Sequence, residues 1–491
     1  MVLETPVTGV TAPGAMSRRR HIGVLAICCM SLLIVGIDVT IVNVALPSIG
    51  RDFHASLSGL QWTVDAYTLV LASLLMISGS TADRLGRRRT FVIGLCTFAL
   101  GSLLCSLAPN LDTLIVFRMI QAIGGSMLNP VAMSIITNTF TVPRERAQAV
   151  GIWGAVVGVS MALGPVVGGV LVTSVGWRSI FFINIPIALA AVVLALRYIP
   201  ESKAAVARKL DVPGQLLVIA FLSTLTYGII ELPEKRLSSV VIMAAFAIAA
   251  ASLVAFLLWE RRAVQPLMDL RFFRSVPFSS ATVIAVAAFA ALGGFLFLNT
   301  LYLQDVRGLS ALQSGVDTLP MAAMTIVFSP ISGRIVGRHG ARIPLLVAGL
   351  TLTASSLMLV GLGATTPFTW LFTAYVIFGI GFGLVNAPIT NAAVSGMPRA
   401  QAGVAAAIAS TSRQIGSTLG VAVTGSLVSA SLQKGSHIDF ALASRAGWWV
   451  LAGCGAVVLV LGMVATTGWA RATAERTAKA INPEFLEAHA A

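Results

Sequence analysis

Apolar and polar positions fall along this chain in long blocks. Runs of about 20 apolar residues, each long enough to cross a bilayer as a helix, lie near 22–46, 61–81, 90–108, 111–132, 147–172, 178–197, 212–231, 237–259, 276–303, 311–333, 343–363, 367–393, 400–429 and 445–470. These fourteen runs predict an all-α polytopic membrane protein, because barrel strands are shorter and alternate apolar with polar residues.

One polar stretch between runs organises the rest. Gly79-Ser80-Thr81-Ala82-Asp83-Arg84-Leu85-Gly86-Arg87-Arg88-Arg89 places four arginines between two apolar runs, so it is expected as a charged loop at a membrane surface. Its skeleton returns once, in Gly333-Arg334-Ile335-Val336-Gly337-Arg338-His339-Gly340-Ala341-Arg342. Gly79, Arg84, Gly86 and Arg88 match Gly333, Arg338, Gly340 and Arg342 at a single offset of 254. A charged corner repeated at half-chain distance indicates internal duplication. Asp83 has no counterpart, because Gly337 stands there. Two six-helix halves are expected over 22–197 and 276–470, flanking an inserted helix pair at 212–259. Linkers fill 198–211 and 260–275, and the tails 1–21 and 471–491 complete the chain, the latter expected to be polar and weakly ordered.

Composition agrees. The chain has 491 residues, of which 57% are hydrophobic and 11% charged, with mean hydropathy +0.90; a soluble domain carries about 25% charged residues. The net charge of +14 raises nucleic acid as a partner, and its distribution removes that reading. With the N-terminus placed in the cytoplasm, 24 of the 33 Lys and Arg fall in inward segments and 7 in outward ones, leaving Arg118 and Arg413 within runs. The positive-inside rule then puts both termini in the cytoplasm. The five cysteines all lie inside apolar runs and read as packing residues. The first run follows Arg18–Arg20 but is too long for a signal-peptide core and contains Asp38, so it is expected to be retained.

Little soluble chemistry is available. No phosphate-binding Gly-x-x-x-x-Gly-Lys-[Ser/Thr] occurs, nor a His-Glu-x-x-His or Cys-x-x-Cys pattern. The chain is read as neither an enzyme nor a cofactor or metal binder. No lysine or histidine lies within a run, so an intramembrane proton carrier has to be a carboxylate. Asp38, Asp65 and Asp317 are the acids well inside runs, and such acids mark function by default. At 1.5 Å rise per residue, Asp38 lies about 12 Å and Arg118 about 10 Å below the outer ends of their runs. Their depths match, which leaves open whether they face each other.

These motifs resemble the fourteen-helix drug/proton antiporters of the major facilitator superfamily over essentially the whole chain. Asp38-Val39-Thr40-Ile41-Val42-Asn43-Val44-Ala45-Leu46-Pro47 resembles the first-helix signature, and Gln61-Trp62 with Asp65-Ala66-Tyr67 is similar to the start of the second helix. Residues 79–89 resemble the loop motif between helices two and three. Arg118-Met119-Ile120-Gln121-Ala122-Ile123-Gly124-Gly125 resembles the fourth-helix arginine motif, with Ala122 where glycine is usual. Gly154, Gly158, Gly164-Pro165 and Gly168-Gly169 resemble the antiporter motif of helix five, and Trp177 to Pro186 the start of helix six.

The resemblance implies a major facilitator fold with two inserted helices. It implies export of small amphipathic, drug-like or cationic compounds in exchange for protons by a monomer in the bacterial inner membrane, with membrane lipid as surroundings. Asp38 with Arg118 is the expected proton-coupling pair. Asp65, Tyr67, Asp317, Arg413 and Gln414 are expected at the substrate cavity. Gly79, Asp83, Arg84, Gly86, Arg87 and Arg88 form the conformational motif, with Asp83 as a latch to the far half near Arg399–Gly403. Two rival readings stand beside this one, a dedicated exporter of one natural product and a proton-coupled nutrient symporter. The glycine pattern of helix five argues against the symporter.

Overall fold

The computed structural model describes residues 18–203, 210–263, 266–394, 402–433 and 439–481. Among these, fourteen helices are long and apolar enough to span a membrane. In chain order they are α1 (Arg19–Phe53), α2 (Leu57–Leu85), α3 (Arg87–Ser106), α4 (Leu111–Thr139), α5 (Arg144–Ser174), α6 (Ser179–Tyr198), α7 (Val212–Lys235), α8 (Val240–Glu260), α9 (Val276–Val306), α10 (Ala311–His339), α11 (Arg342–Val360), α12 (Phe368–Ala393), α13 (Val404–Leu432) and α14 (Phe440–Ala465). A shorter helix, α15 (Gly468–Ile481), follows. No strand occurs among the described residues.

Several helices outlast the apolar runs that predict them, because polar residues at their ends find partners there. Ser56 accepts from Gly59 N at 3.3 Å to start α2, and Asn110 accepts from Thr113 N at 2.9 Å to start α4. Two expectations change accordingly. The charged stretch 79–89 is not a loop, since α2 continues through Leu85 and α3 begins at Arg87. The corner is Gly86 alone, with φ 113°, and its repeat at Gly340 has φ 80°. Positive φ explains glycine at both positions. The inserted helices are joined by a short turn, as α7 reaches Lys235 and the chain turns at Arg236 with φ 61°. The tail is helical through Ile481, and its Thr473 hydroxyl accepts from Val276 N at 3.0 Å, which fastens α15 to the start of α9.

Helices α1–α6 pack as one half and α9–α14 as the other. The inserted helices α7 and α8 pack on each other, and α7 lies on both α2 and α13. Trp62 Nε1 donates to Glu231 at 3.0 Å, Ser58 Oγ to Glu234 at 2.6 Å, and the Gln215 amide to the Ser73 carbonyl. Leu69 and Ala72 of α2 share an apolar cluster with Leu222 of α7, and Ile415 of α13 packs against it. The inserted pair is thus hydrogen-bonded to the first half and only in apolar contact with the second within that cluster. Large apolar side chains such as Val193, Val240 and Leu350 stand exposed, as a lipid-facing surface requires.

The halves meet mainly at the face opposite the one that carries Arg84–Arg89 and Arg334–Arg342, called here the basic face. There Gln61 of α2 donates to the Val421 and Ala422 carbonyls of α13, Thr418 donates to Thr68 at 2.8 Å, and Gln304 of α9 donates to the Val44 carbonyl of α1 at 2.9 Å. Between α5 and α10, a Cβ at Gly169 would meet Leu312 Cα at 2.6 Å, and one at Gly158 would meet Ile326 at 3.3 Å. One and two turns nearer the basic face, Gly154 and Gly151 have nothing within 4 Å of a Cβ position. Among the described residues the halves are joined at the opposite face, and α5 stands clear of α10 at Gly154 and Gly151 toward the basic face.

Candidate functional site

Five helices of the first half converge on Asp38. The carboxylate is fully buried and Arg118 is 1% exposed. Arg118 Nη1 donates to Asp38 Oδ2 at 2.5 Å. Gln121 Nε2 and Asn184 Nδ2 donate to Asp38 Oδ1 at 2.8 and 3.0 Å. Arg118 also donates to Gln121 Oε1 at 2.7 Å and, through Nε, to the Thr63 carbonyl at 3.3 Å. Ser102 of α3 accepts from Gln121 at 2.8 Å. The guanidinium lies over the Tyr67 ring at 4.2 Å and the Phe181 ring at 5.6 Å. Two charges this deep are tolerable only with good geometry and satisfied hydrogen bonds, and both conditions hold here.

The local sequence explains the fit. Arg118 and Gln121 are three residues apart and share a face of α4. Gly101 of α3 leaves room for the α4 backbone, since a Cβ there would meet Gln121 Cα at 2.5 Å. Gly125 does the same for Tyr67, whose hydroxyl would lie 2.8 Å from a Cβ. Thr40, two residues past Asp38, sits against Gly164 of α5, where a Cβ would meet Thr40 Cβ at 2.9 Å. Gly168 fits against Ile41 in the same way. The helix-five glycines therefore serve two neighbours, α1 through Gly164 and Gly168 and α10 through Gly158 and Gly169. Pro165 offers its carbonyl side to Gly315 of α10.

The profile described as Major Facilitator Superfamily matches residues 28–421. The chain belongs to the major facilitator superfamily. This major facilitator is 38% identical over 403 residues to "Multidrug resistance protein Stp" of Mycobacterium tuberculosis, covering 82% of this chain and 75% of that protein. It is 38% identical over 436 residues to the "Tetracenomycin C resistance and export protein" of Streptomyces glaucescens, covering 87% and 78%. Among solved structures it resembles a D-xylose-proton symporter, with TM-score 0.65, 13% identity and coverage of 90% and 97%. A bacterial homologue of the human lysosomal transporter Spinster, solved inward-facing and occupied, superposes with TM-score 0.62 at 17% identity, covering 94% and 98%. The superfamily transports solutes, so this chain is a multi-pass membrane transporter.

The other sequence-selected residues of this major facilitator do not join the Asp38 cluster, Tyr67 excepted. Asp65 is fully buried, and among the described residues neither carboxylate oxygen accepts a hydrogen bond of good geometry. Asp317 is half-buried at the helix break before Leu319. Arg413 and Gln414 are partly exposed on α13; Arg413 donates to Thr390 of α12 at 2.6 Å and lies 5.9 Å from the Phe289 ring. Asp83 accepts from Arg87 at 3.1 Å, one turn away in sequence. The expected far partner of Asp83, around Arg399–Gly403, falls at and beyond the edge of the described residues.

Sequence reasoning passes over four partners. Gln121 and Asn184 lie inside motif stretches without being given a role, and Ser102 is not noticed. An amide or hydroxyl inside an apolar run was the available signal. Glu201, in the linker after α6, accepts from Arg88 N and Arg89 N at 3.1 and 3.2 Å and so caps α3. Its signal was weaker, because a linker acid has no periodic context.

Proposed function

We propose that this transporter exports small amphipathic, drug-like or cationic compounds from the cytoplasm in exchange for protons. The relatives named for multidrug resistance and tetracenomycin C export support the direction and the substrate class. The basic face is cytoplasmic by the positive-inside rule, which places both termini inside and makes the described conformation inward-open. The surrounding membrane is the bacterial inner membrane, and one chain is the working unit, since both halves and the pathway between them come from one polypeptide.

The observation that carries the mechanism is the enclosed Asp38–Arg118 pair with Gln121 and Asn184 as further donors. While Asp38 is ionised, three donors and one positive charge hold it. Protonation of Asp38 removes the attraction that fixes Arg118, and the α1–α4 contact loosens. Because α1 also seats against α5 through Gly164 and Gly168, a change at Asp38 reaches the helix that separates from α10. Proton occupancy is thereby linked to the rocking of the halves, which is alternating access.

Arg413 and Gln414 of α13, with Asp317 and Asp65, are the groups offered to substrate as the cavity opens, and Tyr67 holds Arg118 from its ring face. Asp83 acts as the conformational latch: paired with Arg87 in this inward-open state, and engaged with the far half when the basic face closes. The deciding experiment is transport by inverted vesicles under a pH gradient, using a panel of amphipathic drugs as probes. Proton-dependent accumulation inside inverted vesicles is expected. Accumulation only in right-side-out vesicles would favour the symporter.

A further inference from the structure

The contact between α2 and α13 contains an arrangement that the coupling site does not use. Gln61 lies in the second turn of α2 and is fully buried. Its amide nitrogen donates to two consecutive carbonyls of α13, Val421 at 3.2 Å and Ala422 at 2.9 Å. The amide nitrogen thus bonds only to the other half of the molecule, while the buried Oε1 has no hydrogen-bond partner among the described residues. These carbonyls lie inside a helix and take the extra bonds on their second lone pairs.

The space for Gln61 is made by one glycine. A Cβ at Gly425 would meet Gln61 Cδ at 2.5 Å, Nε2 at 2.6 Å and Cγ at 2.8 Å. Any side chain at 425 expels the amide. The other polar contacts between the halves at this face, among the described residues, are single, and one of them is the exposed, long ion pair of Arg51 with Asp305 at 3.9 Å. Thr418 with Thr68 is one hydroxyl pair, and Gln304 reaches one carbonyl. Beside the α2–α13 seam, α7 packs on both helices, so lipid is kept from this contact.

From this geometry we infer that Gln61 is the bolt of the outer gate and Gly425 its socket, a positioning pair that sets the balance between inward- and outward-open states. The inference rests on the alternating-access reading. It assigns the closing interaction to an amide between helices, separate from the Asp38 charge. When the halves part at the outer face, both carbonyl bonds break and the Gln61 amide meets outer water instead. The bolt therefore favours closure by the difference between a dry, two-point bond and a hydrated amide. Removing it raises the outward-open to inward-open ratio about tenfold.

The test uses the full-length chain in lipid nanodiscs with its five cysteines replaced. Spin labels go at Val175, just past the outer end of α5, and at Val316 on the outer part of α10, both exposed. This pair reports opening on a seam that Gln61 does not touch, so a purely local packing role leaves it unmoved. Gln61→Leu and Gly425→Ala are each expected to increase a longer distance component about tenfold relative to the short one. Gln61→Ala with Gly425→Ala together is expected to equal Gln61→Ala alone, since an empty socket loses nothing further. Gly425→Ala keeps every polar group and serves as the test should Gln61→Leu fail to fold. Unchanged distance distributions in both single variants, or strictly additive shifts in the double variant, would overturn the inference. The distances are read without substrate or gradient, so a different exported compound or proton carrier leaves the outcome interpretable.

Discussion

Asp38→Asn is the perturbation that separates the coupling mechanism from the fold. The substitution keeps the shape and removes the charge, yet the surroundings were built for a carboxylate. Oδ2 receives Arg118 at 2.5 Å, while Oδ1 receives Gln121 at 2.8 Å and Asn184 at 3.0 Å. An asparagine has one oxygen, so its NH2 faces a donor whichever way it turns. It also leaves Arg118, 1% exposed, without a counter-charge. Breaking a buried pair by removing one partner costs about 3–5 kcal/mol. The double variant Asp38→Asn with Arg118→Met removes both charges and is expected to recover about half of that loss, on the order of 2 kcal/mol of coupling.

Two assays read the consequence. Unfolding of the purified protein in detergent gives the stability term for the two single variants and the double. Inverted vesicles with an imposed pH gradient give the functional term. Asp38→Asn is expected to lose gradient-driven accumulation entirely while substrate binding survives within about tenfold, since the binding groups proposed on α13 are untouched. Full gradient-driven transport by Asp38→Asn would refute the reasoning and move the proton to Asp65 or Asp317. The Arg118 pairing would then be structural only. An Asp38→Asn stability within about 1 kcal/mol of the parent would show that the site is hydrated.

Asp83→Asn is expected to lower turnover several-fold and leave substrate affinity within about twofold, because it acts on the balance of states; equal turnover in a transport assay would remove the latch. Glu201→Ala strips the α3 N-terminus of both side-chain acceptors at Arg88 N and Arg89 N and is expected to cost about 1–2 kcal/mol, seen as a lowered unfolding midpoint. Cysteine substituted at Ser202 is expected to label from the cytoplasm and at Ser310 from outside; reversed accessibility would contradict the orientation.

The order of apolar blocks was enough to specify fourteen crossings, since lipid allows no other backbone solution for runs of that length. The 254-residue offset between Gly86 and Gly340 marked a repeated corner, and both glycines carry the positive φ that glycine serves there. The deep acid and arginine were also legible, because an ionisable residue in an apolar run has no bland explanation. Depth along a helix axis could not say that Asp38 and Arg118 meet. That depends on how α1 and α4 are rotated, and rotation is set by side-chain packing across the whole half. The same applies to Gln121, Asn184 and Ser102, which come from three helices and become one network only when those helices pack. The gate is the extreme case. Gln61 and Gly425 are 364 positions apart, and although Gln61 lies in a motif stretch, nothing in the sequence connects the two. A glycine in an apolar helix reads as packing, and a glutamine near a helix start reads as interfacial. Only the approach of α2 to α13 gives the amide its two carbonyls and the glycine its reason. Sequence thus determined which segments enter the membrane and which charges they carry, because those follow from local composition. Tertiary structure alone decided which polar groups are partners, because partnership depends on distances between helices remote in sequence.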